Sequence, residues 1–89
     1  MITDEEKNII KRCAEKYQVK EIFLFGSSLG NPDEAKDIDL AVNGIESTSF
    51  FSFYGDLIWG LPKPVDLVDL AYPNKFTQLI LREAVKIYG

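Results

Sequence analysis

Phe25-Gly26-Ser27-Ser28-Leu29-Gly30 and Asp37-Ile38-Asp39 are the two segments on which the fold turns, with nine residues between Ser27 and Asp37. The apolar run Ile22 to Phe25 reads as a strand that ends in Gly-Ser, and a second strand opens on two aspartates one residue apart. Gly26 has no Cβ, so backbone N–H groups there can approach an anion closely, and the Ser27 hydroxyl adds a donor. Residues two apart on a strand face the same side, so Asp37 and Asp39 present both carboxylates to one ion while Ile38 and Leu40 face a core. An oxygen-rich cluster of this kind suits a hard divalent cation that bridges phosphate oxygens.

Upstream, Thr3 and Glu6 have the spacing of a capping box, which predicts a helix from Asp4 to about Tyr17. Ile9, Ile10, Cys13, Ala14 and Tyr17 recur on its apolar face. The first strand is expected over Glu21–Phe25, a short helical turn after Gly26, turn chemistry at Gly30-Asn31-Pro32-Asp33, and the second strand over Asp37–Val42. An antiparallel pairing of these strands brings Gly26-Ser27 beside the Asp-x-Asp pair.

Asn43-Gly44 turns the chain, and Ser47 or Thr48 is expected to cap a helix over Phe50–Trp59, stopped by Gly60-x-Pro62. Its apolar arc, from Phe53 round to Phe51, spans roughly 160°, wider than the ~100° a surface helix needs for its own core. The first reading is that the whole arc is core and Trp59 covers a loop; the alternative is that Phe51 and Ile58 at the arc's edge, with Trp59 outside it, form an exposed patch for a second copy or a partner protein. The third strand spans Lys63–Leu70, and a helical crossover makes it parallel to the second, with Asp66 level with Asp39. Three carboxylates are thereby expected in one cluster, whereas Asp69 reads as a solvated charge or cap. A last helix is expected from Pro73 or Asn74 to Tyr88, with Phe76, Leu79, Ile80, Ala84 and Ile87 inward and Glu83 inside that arc.

Gly26-Ser27, the nine-residue gap, Asp37-x-Asp39 and the downstream acid Asp66 together resemble the nucleotidyltransferase superfamily signature. The short chain is similar to the minimal nucleotidyltransferases, the MNT or MntA-like antitoxins that pair with HEPN-domain toxins. The resemblance implies an α+β (α/β) domain over residues 1–89, a small mixed sheet flanked by helices. It further implies transfer of a nucleoside monophosphate, AMP from ATP, to a hydroxyl acceptor such as a tyrosine of a HEPN-type partner. Asp37, Asp39 and Asp66 are then the catalytic and metal-binding residues for two Mg²⁺ ions, and Gly26, Ser27 and Ser28 hold the phosphates. Where many relatives carry an arginine-containing stretch, this chain has Ser28-Leu29-Gly30, so only Lys36 is left near the site as a phosphate-clamping cation. The alternative function is a catalytically weak module that neutralises a partner protein by docking.

Composition narrows the remaining choices. With 46% hydrophobic and 27% charged residues the 89-residue chain has the make-up of a globular domain. A net charge of −4 speaks against general nucleic-acid binding. A single cysteine and no histidine leave carboxylates as the groups for acid–base or metal chemistry. Without an apolar run of about 20 residues no membrane span is expected, and a cytoplasmic location follows by default. Self-association is a further option for the partner surface.

Overall fold

A computed structural model describes residues 1–89. Helix α1 (Asp4–Lys16) starts with the expected capping box. Thr3 Oγ1 accepts from the Glu6 N–H at 3.1 Å, and Glu6 Oε1 accepts from the Thr3 N–H at 2.9 Å. Asp4, Glu5 and Glu6 crowd the positive end of the helix and Lys16 its negative end. Strand β1 (Glu21–Leu24) leads into a 3₁₀ turn over Gly26–Leu29. Strand β2 (Ile38–Asn43), helix α2 (Phe50–Gly60), strand β3 (Val65–Asp69), helix α3 (Lys75–Glu83) and strand β4 (Val85–Tyr88) follow.

The four strands form one mixed sheet in the order β3-β2-β1-β4. β1 runs antiparallel to both β2 and β4, and β2 runs parallel to β3. The parallel pair needs a long connection, which α2 supplies. Ile22 and Leu24 of β1, Ile38, Leu40 and Val42 of β2, and Val65 of β3 are buried with Ile10 and Ala14 of α1 and Phe53 and Leu57 of α2. Alternation along β2 therefore sends Ile38, Leu40 and Val42 into this core and leaves Asp39 on the other face.

Polar contacts fix α2 in place. Asp56 Oδ2 accepts from Lys16 Nζ at 2.7 Å and from the Tyr17 hydroxyl at 2.8 Å, tying α2 to α1. The Tyr54 hydroxyl donates to the Val65 carbonyl at 2.7 Å, tying α2 to β3. The Lys16 and Tyr17 hydrogen bonds hold the Asp56 carboxyl below its ordinary range.

Two expectations about the elements are corrected. The last helix does not continue to Tyr88. The Ala84 N–H closes the helix on the Ile80 carbonyl, Ala84 itself is extended, and Val85 to Tyr88 form the edge strand β4 against β1. β-Branched and aromatic residues at Val85, Ile87 and Tyr88 suit a pleated surface. Lys86 Nζ reaches Glu21 Oε2 at 3.3 Å across the β1–β4 pair. Of the expected inner face, Ile80 is buried, whereas Phe76, Leu79 and Glu83 are exposed. Nor does Ser47 or Thr48 cap α2: residues Ser47–Ser49 form a 3₁₀ turn that runs straight into it, without a side-chain cap.

Candidate active site

The site lies where β1 ends beside the start of β2. The Phe25 N–H donates to the Asp39 carbonyl at 3.1 Å and carries the β1–β2 ladder up to the loop. Gly26 then takes φ +62°, a left-handed conformation costly for any residue with a Cβ. A Cβ at Gly26 would lie 2.8 Å from Asp39 Oδ2, so glycine is required both by the turn and by the closeness of the carboxylate. The exposed Ser27 hydroxyl donates to Asp39 Oδ2 at 3.2 Å. The Gly-Ser loop and the second aspartate of the Asp-x-Asp pair are thus in contact.

Ser28 has a different place from the one expected for it. It is only 1% exposed, and its hydroxyl is occupied on both sides, donating to the Asp37 carbonyl at 3.0 Å and accepting from the Asp39 N–H at 2.8 Å. It fastens the loop to β2 across the Asp37-Ile38-Asp39 backbone and presents no free hydroxyl to a phosphate. Nothing in the sequence distinguishes this serine from its exposed neighbour, because side-chain direction in a 3₁₀ turn follows no simple period.

Asp37 precedes β2 and is half-buried, and Asp39 sits within the strand. In the parallel β2–β3 ladder Asp39 pairs with Asp66, Ile38 with Val65 and Leu40 with Leu67. The expected level placement of Asp39 and Asp66 is therefore met by the backbone. The side chains, however, are not gathered into one three-acid cluster. Like charges that share a small space repel one another, and Asp39 instead turns its carboxylate to Ser27. Asp66 is exposed. Asp69, three residues on, accepts from the Ala71 N–H at 2.9 Å, the cap role expected of it. Lys36, the cation nearest in sequence, is exposed, whereas Lys63 reaches over the loop to the Pro32 carbonyl.

Residues 7–89 match the family described as polymerase beta, nucleotidyltransferase. The chain belongs to this nucleotidyltransferase family. None of the curated proteins matches it in sequence. Among solved structures it is similar to a variant of an MntA–HpeT toxin–antitoxin complex, with a TM-score of 0.76 at 22% identity over 93% of this chain and 73% of that one. It is also similar to the complex of a tri-AMPylated HEPN toxin of Shewanella oneidensis with its MNT antitoxin (TM-score 0.72, 24% identity, 94% and 70% covered). A third similar structure is a toxin–antitoxin with AMP-PNP (TM-score 0.71, 24% identity, 93% and 73% covered). The small mixed sheet with its helices is the nucleotidyltransferase fold shared with these proteins. No helix is long and apolar enough to cross a membrane.

Proposed function

We propose that the protein transfers AMP from ATP to a hydroxyl of a HEPN-type partner and thereby acts as an antitoxin. The observation that carries this reading is the pairing of Asp39 with Asp66 across parallel strands while the Gly26-Ser27 loop touches the Asp39 carboxylate. One end of the β1, β2 and β3 strands then offers carboxylates and a glycine-containing loop side by side.

The donor set fits Mg²⁺: Asp37, Asp39 and Asp66 supply hard carboxylate oxygens, and Gly26 leaves room beside Asp39 that a Cβ would fill. When bound, such ions neutralise charge on the triphosphate and polarise the phosphoryl group. Asp37 and Asp39 would hold them, joined by Asp66. The backbone at Gly26 and the Ser27 hydroxyl bind and orient the pyrophosphate end of the nucleotide. Asp66, exposed to an incoming acceptor, takes the hydrogen bond of the attacking hydroxyl and then its proton on a carboxylate oxygen. The hydroxyl oxygen bonds to the α-phosphorus as the bond from that phosphorus to the bridging oxygen breaks. Pyrophosphate departs with the electron pair, leaving AMP on the acceptor.

A second reading, docking with little transfer, draws on the Gly26–Gly30 loop, which offers Ser27 as its one exposed hydroxyl and no side-chain cation to a triphosphate. The two readings separate when the chain is incubated with ATP, Mg²⁺ and a HEPN-domain protein and that protein's mass is followed. A gain of one or more adenylyl groups on hydroxyls, lost with Asp39→Asn, is expected for transfer. Neutralisation of the toxin with no mass gain would replace transfer by docking.

A further inference from the structure

Helix α2 buries Phe53 and Leu57 on one side, yet its opposite side is also apolar. Phe51 is 81% exposed, Ile58 55% and Trp59 93%. Residues 51, 55, 58 and 59 stand at i, i+4, i+7 and i+8, so they form one stripe along the helix. At its middle is Gly55, where an added Cβ would meet nothing within 4 Å. The stripe carries no charge: the one ionised residue of α2, Asp56, is turned to Lys16 and Tyr17.

We propose that this stripe is a self-association surface, on which a second copy of the chain packs its own α2 antiparallel about a twofold axis at Gly55. Three features favour a second copy as the occupant. The glycine at the centre lets two helix backbones approach closely, as small residues do at tight helix crossings. The stripe is self-complementary, because an antiparallel crossing at residue 55 sets residue 59 of each copy opposite residue 51 of the other, as an isologous contact requires. Each Trp59 is then carried to the N-terminal end of the other α2. There Ser47, Phe50, Phe51, Asp69 and Tyr72 line a cleft of about 250 Å³, spacious enough for an aromatic ring, with the Asp69 carboxylate as acceptor for the indole N–H.

The area available is that of a weak contact between copies. Phe and Trp each bury on the order of 150–250 Å² when covered. With Ile58 the stripe supplies roughly 400 Å² per copy, about half of what a standard interface takes from each partner. Tyr72, 68% exposed at the cleft, adds to it, and a contact of this size is expected to give a weak dimer. The surface lies on α2 and depends on no assignment of the nucleotide site.

Trp59 is the only tryptophan in the chain, so its fluorescence reports this contact directly. The test is sedimentation velocity together with tryptophan emission across a micromolar dilution series. The wild type is expected to pass from dimer to monomer on dilution as its emission moves to the red. Gly55→Arg fills the crossing point without touching the monomer's own packing and replaces a poor helix former. It is expected to unfold at or above the wild-type temperature, to stay monomeric, and to emit at the red limit throughout. Trp59→Ala is expected to weaken association roughly tenfold or more, as loss of a central aromatic anchor does. The proposal is overturned by a wild type that stays monomeric, including one whose stripe is covered only when a different protein is added. A Gly55→Arg variant that still dimerises overturns it equally.

Discussion

Replacing Ser28 by alanine removes one hydroxyl and strands two backbone groups, the carbonyl of Asp37 and the N–H of Asp39. Ser28 is almost wholly buried, so water reaches its place poorly. A buried polar group left without a partner costs about 1–3 kcal/mol. Half-exposure of the two aspartates lets solvent recover part of that, and the net loss expected for Ser28→Ala is about 2 kcal/mol. For a domain of this size each kcal/mol moves the melting temperature by about 4–8 °C, so a fall of roughly 10 °C or more is expected. The control is Ser27→Ala, one residue away, which removes a longer and exposed hydrogen bond to Asp39 and should cost no more than about 0.5 kcal/mol. Urea unfolding followed by circular dichroism measures both. Equal stabilities for the two variants would refute the assignment of Ser28 as the buried fastener and Ser27 as an exposed donor.

The site aspartates should separate by role. Asp39→Asn is expected to abolish both Mg-ATP-analogue binding and transfer, whereas Asp66→Asn keeps binding and loses transfer, as calorimetry beside an activity assay would reveal. Because Asp39 and Asp66 are paired like charges on adjacent strands, Asp66→Asn should also raise the metal-free stability by about 0.2–1 kcal/mol; a lower melting temperature would mean that its carboxylate is structural. A third prediction concerns pH. The Asp56 carboxyl is held down first by Lys16 and then by Tyr17, so its contribution is present above the unfolded carboxyl value near pH ~4 and is lost as pH falls through the lower folded value. Lys16 and Tyr17 are held up, chiefly by their hydrogen bonds to Asp56, so their contribution persists below their unfolded values near pH ~10 and is lost above. Asp56→Asn should therefore lower the melting temperature at neutral pH and converge with the wild type in acid; a gap unchanged at low pH would contradict this.

The elements that position the site were legible because local chemistry and spacing agreed on them. Thr3 and Glu6 announced α1, Gly26-Ser27 the turn, and the helical crossover after β2 predicted the parallel β3 that sets Asp66 level with Asp39. The missed element was β4. Ile80, Ala84 and Ile87 recur at helical spacing, and no glycine or proline interrupts Glu83 to Val85. The strand is decided by β1, some 60 residues earlier, which has a free edge for Val85 to Tyr88 to fill. Long-range pairing of this kind leaves no mark in the local period. The place of Ser28 is not legible for a related reason: its two partners lie nine and eleven residues away, on a strand whose approach to the loop only the folded chain defines. On α2 the wide apolar arc reads first as core, yet Phe51 and Ile58 at its edge and Trp59 beyond it are all exposed, so the helix is core only on its Phe53 and Leu57 side.

The Gly26-Ser27 loop and the paired aspartates are proposed to form one nucleotidyl-transfer site. The most direct test supplies ATP labelled at the α-phosphate in one reaction and at the γ-phosphate in another, with Mg²⁺ and a HEPN-domain acceptor. Label should appear on the acceptor from the α position, not from the γ position, and should vanish with Asp39→Asn. Label arriving from the γ-phosphate, or α-label transfer undiminished by Asp39→Asn, would contradict the account.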